Sequence, residues 1–382
     1  MFLLEHHGKD LLASHGIPVP AGVFVPSGGD PLASQPPAGA LIVKAQVATG
    51  GRGKAGAVQN AASLQEAARI VTKLDGIEVN GKPVHGFRIE QRVDFVHEAY
   101  VSVSIDAEAA GIRLLVAPEG GIDVEARTAH ESVLADPGQL PAAASTICGR
   151  LSPPFREALH DASARLSEIF LRYEATLLEI NPLFILADGR WVAGDVKLVI
   201  DDNAIPRQPA IRALLERHPD IYPETARKLT HGFDYVEVDP QGAIGLITTG
   251  AGLSMQLIDE LKSQGRRPLN FCDIRSGQFR GDPARLIAVM QWIASRESVG
   301  VVLVNIFAGI TDLAEFSRLL VQAAGEVPEL RVPMVARLIG RNLDEARTIL
   351  AASGLAVTLE PDLDRALALT LAALGPQGAH CG

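Results

Sequence analysis

Aromatic side chains are scarce in this chain. Its 12 Phe, 4 Tyr and 2 Trp make up 5% of 382 residues, so any core must be assembled from Leu, Val, Ile and Ala. Cysteine is scarcer still: Cys148, Cys272 and Cys381 stand far apart with no CxxC pair. That spacing excludes a disulfide framework and a thiolate metal knuckle, and leaves each as a small buried hydrophobe or a tail residue. Long apolar runs are missing as well. The most apolar stretch, residues 299–310, contains Asn305 and falls well short of the ~20 residues a bilayer-spanning helix requires. There is no surplus of positive charge. A net charge of −10 argues against the broad basic face that nucleic acid demands, though a local anion pocket needs only a few cations and backbone N–H groups. Glu5, His6 and His7 interrupt any secretory signal. The expectation is a soluble cytoplasmic protein with neither nucleic acid nor membrane as partner.

The chain is too long for one ordinary core, which predicts two or three domains. With 47% hydrophobic and 21% charged residues, and 36 Gly and 24 Pro, the composition is that of a compact, turn-rich enzyme rather than a disordered chain. Leu3, Leu4, Leu11 and Leu12 outline a short amphipathic helix stopped by Gly16 and Pro18. Leu41-Ile42-Val43-Lys44 reads as a strand and is followed by the glycine loop Gly50-Gly51-Arg52-Gly53-Lys54-Ala55-Gly56. Residues 63–74 carry a capping box, Ser63 with Glu66 three positions on. Strands are expected over 87–93 and 99–105 and a long helix over 153–174. Two further strands, 175–183 and 191–200, are joined by Ala187-Asp188-Gly189-Arg190, a hairpin turn signal. Elements of the first part do not alternate strictly, so it is α+β.

Beyond residue 239 the pattern changes. Apolar strands are expected at 243–248, 268–273, 299–306 and 332–337, with helices at 253–263, 283–294, 312–324 and 343–352 between them. That alternation predicts a parallel sheet covered on both faces, and the domains are expected to be 1–238 and 239–382.

Three constellations have the chemistry of a binding site. Lys44 at a strand end, next to a glycine loop with Arg52 and Lys54, suits phosphate. The loop is not a Walker A motif, because Ala48 and Ala55 stand where Gly and Ser/Thr are needed, and a solvated basic hairpin tip is the other reading. Asn181 and Asp195 lie on the two paired strand runs, where one amide oxygen and one carboxylate would suit Mg²⁺; a polar hairpin, with Asn181 capping the turn before Pro182, is the alternative. Thr249-Gly250-Ala251-Gly252 and Ala308-Gly309-Ile310-Thr311 each join a strand to a helix, as an anion site would or as any tight turn between strand and helix would. His6, His7, His97, His130 and His231 form no catalytic or zinc constellation.

Together these strings, with Leu178-Glu179-Ile180-Asn181-Pro182-Leu183, Asp202-Asn203-Ala204, Arg207-Gln208-Pro209 and Val304-Asn305-Ile306-Phe307-Ala308-Gly309-Ile310, resemble the β subunit of succinyl-CoA synthetase and its malate–CoA ligase relatives. The likeness runs nearly end to end. It implies an α+β ATP-grasp domain followed by an α/β flavodoxin-like parallel-sheet CoA-ligase domain. It also implies nucleotide contacts from Lys44, Gly51, Arg52, Gly53, Glu90, Val93 and Glu98, Mg²⁺ on Asn181 and Asp195, and Glu179 beside them in a catalytic position. Thr249 and the helix opening at Gly309-Ile310-Thr311 would face the acid substrate and a phosphohistidine carried by a partner α chain, with CoA mainly on that chain and ATP or GTP as the phosphoryl donor. The acid would be a small one such as succinate or malate. A ligase acting without a partner, and a non-catalytic nucleotide-binding subunit, are the competing readings.

Three departures fall in the acid-binding half. Thr249 replaces an Asn and so has one donor where the amide has two. Asp312-Leu313-Ala314 replaces Arg-Cys-Asp, setting an acid where an anion is expected. Asp273-Ile274-Arg275-Ser276-Gly277-Gln278 replaces a run of glycines, and its Arg275 either meets a carboxylate or is a surface arginine. These changes point to a small dicarboxylate other than succinate.

Overall fold

The computed structural model describes residues 1–120 and 130–374; Cys381 lies outside the described residues. Two compact units, Met1–Leu214 and Leu215–Gly382, make up the chain.

The first unit begins with α1 (Glu5–Ser14), β1 (Gly22–Pro26), β2 (Leu41–Gln46), β3 (Val58–Ala61), α2 (Leu64–Leu74), the short pair β4 (Glu78–Val79) and β5 (Lys82–Pro83), and β6 (Gly86–Gln91). An antiparallel sheet of order β1-β6-β2-β3 is covered by α2, whose Ala67, Ile70, Val71 and Leu74 are buried. The capping box forms with a shift. Ser63 Oγ accepts from Glu66 N at 3.2 Å, while the Glu66 carboxylate reaches back to Ala62 N at 2.7 Å, one residue beyond the usual partner. Helix α1 ends at His15, and Gly16 follows at φ +75°, a left-handed step that glycine makes without strain.

A second, larger sheet follows from β7 (His97–Asp106), β8 (Gly111–Ala117), β9 (Glu131–Ala135), α3 (Leu140–Cys148), α4 (Phe155–Arg172), β10 (Ala175–Ile185), β11 (Trp191–Ala193) and β12 (Val196–Ile200). Its order is β11-β10-β7-β8-β9, and β12 also pairs with β10. The single strand expected over 191–200 is therefore two strands. The break is at Gly194-Asp195, where Gly194 N and Asp195 N both point to Pro182 O, at 2.9 and 3.4 Å. Any Cβ on Gly194 would lie 2.7 Å from that carbonyl, so the close approach requires glycine. Opposite the break, β10 shifts register against β7 between Ile180 and Leu183, a bulge of the kind that re-aims side chains. The N-terminal residues lie along β12, with Leu3 N donating to Leu198 O at 2.9 Å, and this anchors α1.

Helices α5 (Pro209–Arg217) and α6 (Pro223–His231) lead into the second unit, which contains β13 (Asp234–Glu237), β14 (Ile244–Thr248), α7 (Ala251–Ser263), β15 (Asn270–Asp273), α8 (Ala284–Ala294), β16 (Val301–Asp312), α9 (Leu313–Glu326), β17 (Met334–Arg341), α10 (Leu343–Ala352), β18 (Val357–Leu359) and α11 (Leu363–Ala373). The boundary expected after residue 238 falls inside this unit, because β13 pairs antiparallel with β15. Strands β14, β16, β17 and β18 form a parallel sheet in that order. Its faces are buried by two apolar clusters, one with Leu286, Val289, Phe316 and Leu320, the other with Leu257, Leu261, Ala366 and Leu367. Strand β15 flanks β14 and completes the flavodoxin-like order. Main-chain bonds flank the contact, Leu269 N to Ile244 O at 2.8 Å and Ile274 N to Thr248 O at 3.0 Å, and between them Asn270 Nδ2 donates to Leu246 O at 2.8 Å and its Oδ1 accepts from Leu246 N at 2.9 Å. Among the described residues no helix is long and apolar enough to cross a membrane.

Asn270 is fully buried, so Asn270→Leu strands two main-chain groups of β14. With each orphaned group costing about 1–3 kcal/mol, denaturant unfolding of the variant should show a loss of about 2–5 kcal/mol. A loss within error would mean that the edge of β14 finds other partners.

Candidate functional site

In the first unit, the glycine loop, β10, the β11–β12 turn and α1 surround a cleft of ≈ 430 Å³, lined among others by Glu5, Gly51, Arg52, Glu179, Asn181 and Asp195. The loop folds on itself through Ala55 N to Gly51 O at 3.1 Å and Ala57 N to Arg52 O at 3.0 Å, and Asn80 Nδ2 tethers it at Gly50 O, 2.9 Å away. Gly51 takes φ +84°, which a side chain would resist. Glu179 and Asn181 are two apart on β10 and so face the same way, and Asn181 N donates to Asp195 O at 3.3 Å.

Behind this wall lies a closed cluster of buried charge. Lys44 Nζ, on β2, which runs two residues beyond the strand end expected at Lys44, contacts Glu5 Oε1 at 2.9 Å, Glu90 Oε1 at 2.8 Å and Gly194 O at 2.6 Å. Lys9 Nζ, on α1, contacts Glu5 Oε1 at 2.7 Å, Glu90 Oε2 at 2.7 Å and Gly194 O at 2.8 Å. Arg52 spans the cleft: Nη1 donates to Glu5 Oε2 at 2.6 Å, and Nη2 donates to both oxygens of Asp195, at 2.6 and 2.7 Å. Arg88 Nε also holds Glu90, at 2.9 Å.

Burial alone would raise the Glu5 carboxyl, but Lys44, Lys9 and Arg52 outweigh it and hold the group well below the usual range. Glu90 is lowered in the same way, burial opposing and Lys44 and Lys9 prevailing. The lysines diverge. Burial pulls Lys9 below its ordinary value despite Glu5 and Glu90, whereas at Lys44 the carboxylates prevail over burial and hold it above. Desolvation raises the Asp195 carboxyl against the pull of Arg52, so this group depends on a cation beside it.

Those oxygens suit a hard divalent ion. Asp195 already accepts a cation, the Arg52 guanidinium, and the Asn181 backbone lies alongside. Among the described residues no three of His, Cys, Asp or Glu are grouped to hold a metal without help, so an ion here would take its other ligands from water and phosphate.

Of the residues singled out from sequence, Gly51, Arg52, Gly53, Glu179, Asn181 and Asp195 line the cleft, while Lys44 lies behind it in the charge cluster. Glu90 is buried in the charge cluster, Val93 follows the end of β6, and Glu98 lies on β7 opposite Phe184. None of these three is among the cleft-lining residues. Sequence reasoning missed Glu5 and Lys9. Their signal was an i,i+4 charge pair on the core-facing stripe that also holds Leu12.

In the second unit the ends of β14, β15 and β16 are joined by hydroxyls. Ser276 Oγ donates to Thr249 Oγ1 at 3.1 Å and is 3.0 Å from Thr311 Oγ1. Gly309, Ile310 and Thr311 belong to β16, and α9 opens at Leu313, one residue after the start expected at 312. The cause is Asp312, whose Oδ1 accepts from Ala314 N at 2.9 Å and Glu315 N at 3.3 Å while Oδ2 accepts from Asn342 Nδ2 at 2.9 Å. Those backbone bonds, Glu315 N first, hold its carboxyl below the usual range. Arg275, at φ +51°, pairs with Asp234 of its own unit at 2.9 Å.

Two family models match the chain, an ATP-grasp domain over residues 2–185 and a CoA-ligase domain over residues 247–371. The β subunit of ADP-forming succinate–CoA ligase from Chloroflexus aurantiacus is 36% identical over 96% of this chain and 98% of its own length. The protein of that name from Myxococcus xanthus is 32% identical over 98% and 100%. Among solved structures, ATP citrate lyase from Methanothrix soehngenii in complex with citrate and coenzyme A superposes with a TM-score of 0.75 at 19% identity, over 97% of this chain and 99% of that one. That last likeness is one of fold.

The depressed Glu5 carboxyl makes a pH prediction. Its folded value lies below the unfolded one of about 4.3, so its contribution to stability is complete above that pH and is lost as pH falls through the folded value. In thermal melts from neutrality down through about pH 4, the wild-type midpoint should fall more steeply than that of Glu5→Gln. Parallel curves would show that Glu5 is not held in its charged form.

Proposed function

We propose, from the premise that the chain belongs to the succinate–CoA ligase β-subunit family, that it is the nucleotide-binding subunit of an ADP-forming acid–CoA ligase acting with a separate α chain. The observation that carries this reading is the meeting of Arg52 and the glycine loop with Asp195 and Asn181 in one cleft. Cations and loop N–H groups face oxygen ligands across a space open to a polyphosphate.

In this reading Lys44, Arg52 and the N–H groups around Gly51 and Gly53 receive the nucleotide phosphates, Val93 and Glu98 lie toward the rest of the nucleotide, and Glu90, enclosed in the charge cluster, acts through Lys44. Asn181 and Asp195 hold Mg²⁺, with Glu179 on the same face of β10. A divalent ion there supplies neutralisation of charge on the phosphate oxygens. Arg52 is then released from Asp195 to the phosphates, where its planar fork can bind two oxygens. Phosphoryl transfer continues through a histidine of the α chain, which also carries most of the CoA site.

The acid is assigned to the second unit, at the carboxyl ends of β14 and β16, where open parallel sheets bind ligands. Thr249, which accepts from Ser276, keeps its own O–H as a donor there, while Thr311 gives its proton to Ser276, and residues 309–311 face the phosphohistidine. Asp312 already supplies a carboxylate to the first turn of α9. That turn is altered from the family pattern, and on this departure together with the Thr249 change we read the acid as a small dicarboxylate other than succinate.

CoA-dependent ADP and GDP formation by this chain with its α partner, across short mono-, di- and tricarboxylates, tests the reading. Turnover only with the partner and strongest for one acid is expected, and Lys44→Met and Asp195→Asn should each lower it about 100-fold or more, the scale of losing a transition-state charge partner. Turnover without the partner would favour a self-contained ligase. A stable, nucleotide-binding complex that turns over no acid would favour a non-catalytic subunit.

A further inference from the structure

Lys9 and Lys44 share the same three acceptors, Glu5, Glu90 and the Gly194 carbonyl. Their exposure differs: the Lys9 side chain is fully enclosed, while that of Lys44 is 8% exposed. An ammonium has three protons, and Lys9 spends all of them inside the cluster. The bland account is a fold staple. Buried ion pairs seldom stabilise more than well-packed apolar groups of equal size, however, and a staple would need only one lysine for these acceptors.

We infer that Lys9 is a positioning residue, the resident counter-ion that keeps Glu5, Glu90 and the Gly194 carbonyl compensated when Lys44 turns to the nucleotide phosphates. Without Lys9, movement of Lys44 and Arg52 to the phosphates would leave Glu5 with no cation and Glu90 with Arg88 alone, a state that costs several kcal/mol for an unpaired buried ion. Lys44 and Arg52 would then stay fixed on Glu5 and Glu90. Lys9 also holds Gly194, the residue before Asp195, so both sides of the cleft depend on it. This inference rests on the proposed nucleotide site.

Calorimetric titration of the full chain with Mg–ADP and Mg–ATP, comparing wild type with Lys44→Met, Lys9→Met, Glu5→Gln and the Lys9→Met/Glu5→Gln double variant, tests it. Lys9→Met should weaken binding about 10- to 100-fold, as loss of a supporting partner does. Glu5→Gln, which loosens Lys44, should bind more tightly than wild type, and the double variant should recover most of the loss. A staple alone would lower the fraction of competent chains, leaving the Kd of the rest and the nucleotide KM of the partnered enzyme unmoved. The inference is overturned if Lys44→Met weakens binding while Lys9→Met does not, or if the double variant binds no better than Lys9→Met. If Lys9→Met lacks a cooperative melt, Glu5→Gln decides: tighter binding supports the counter-ion role, and unchanged or weaker binding removes it. Wild-type and Lys44→Met titrations that coincide would instead overturn the nucleotide site itself.

Discussion

The first unit is organised around a balance of buried charge. Glu5, Glu90 and Asp195 meet Lys9, Lys44, Arg52 and Arg88, drawn from α1, β2, the glycine loop, β6 and the β11–β12 turn. Each of these segments brings a charge that would be prohibitive to bury alone. None can be placed correctly without the others, so the cluster sets where the first helix, both sheets and the loop meet. Such an arrangement contributes little net stability compared with an apolar core. What it provides is a set of cations held ready beside an open cleft, with their desolvation already met by folding.

The second unit is held together differently. Its parallel sheet is covered on both faces by aliphatic side chains, and polar groups appear mainly where strands end. Asn270 joins β15 to β14 without a full ladder, which leaves the ends of those strands to be tied by the Thr249–Ser276–Thr311 hydroxyls. At the start of α9, Asp312 takes up free N–H groups that could otherwise meet an outside anion. The loops around Thr249, Ser276 and Asp312 thus form one connected region.

Much of the architecture was legible in the residues. The capping box at Ser63, the Gly16 stop, the hairpin at Asp188-Gly189 and the βαβα order beyond residue 239 all formed, because each is set by local backbone preference or hydrophobic period. The strand over 191–200 was not legible as two. Its break depends on Gly194 approaching the Pro182 carbonyl of a neighbouring strand, a contact invisible along one segment. The start of α9, expected at 312, falls at Leu313, with Asp312 as the residue that caps it.

By itself the sequence determined the element types, the two-part plan and the inventory of phosphate- and metal-compatible side chains, since spacing and residue chemistry act over a few positions. Only the tertiary structure decided that Glu5 and Lys9, on what looked like an ordinary amphipathic helix, share acceptors with Lys44, and that Arg52 reaches Asp195, 143 positions away. Charge pairing in a desolvated interior is a property of distance in space. Sequence separation has no bearing on it, which is why the residues that organise the cleft could not be read from the segment that contains them.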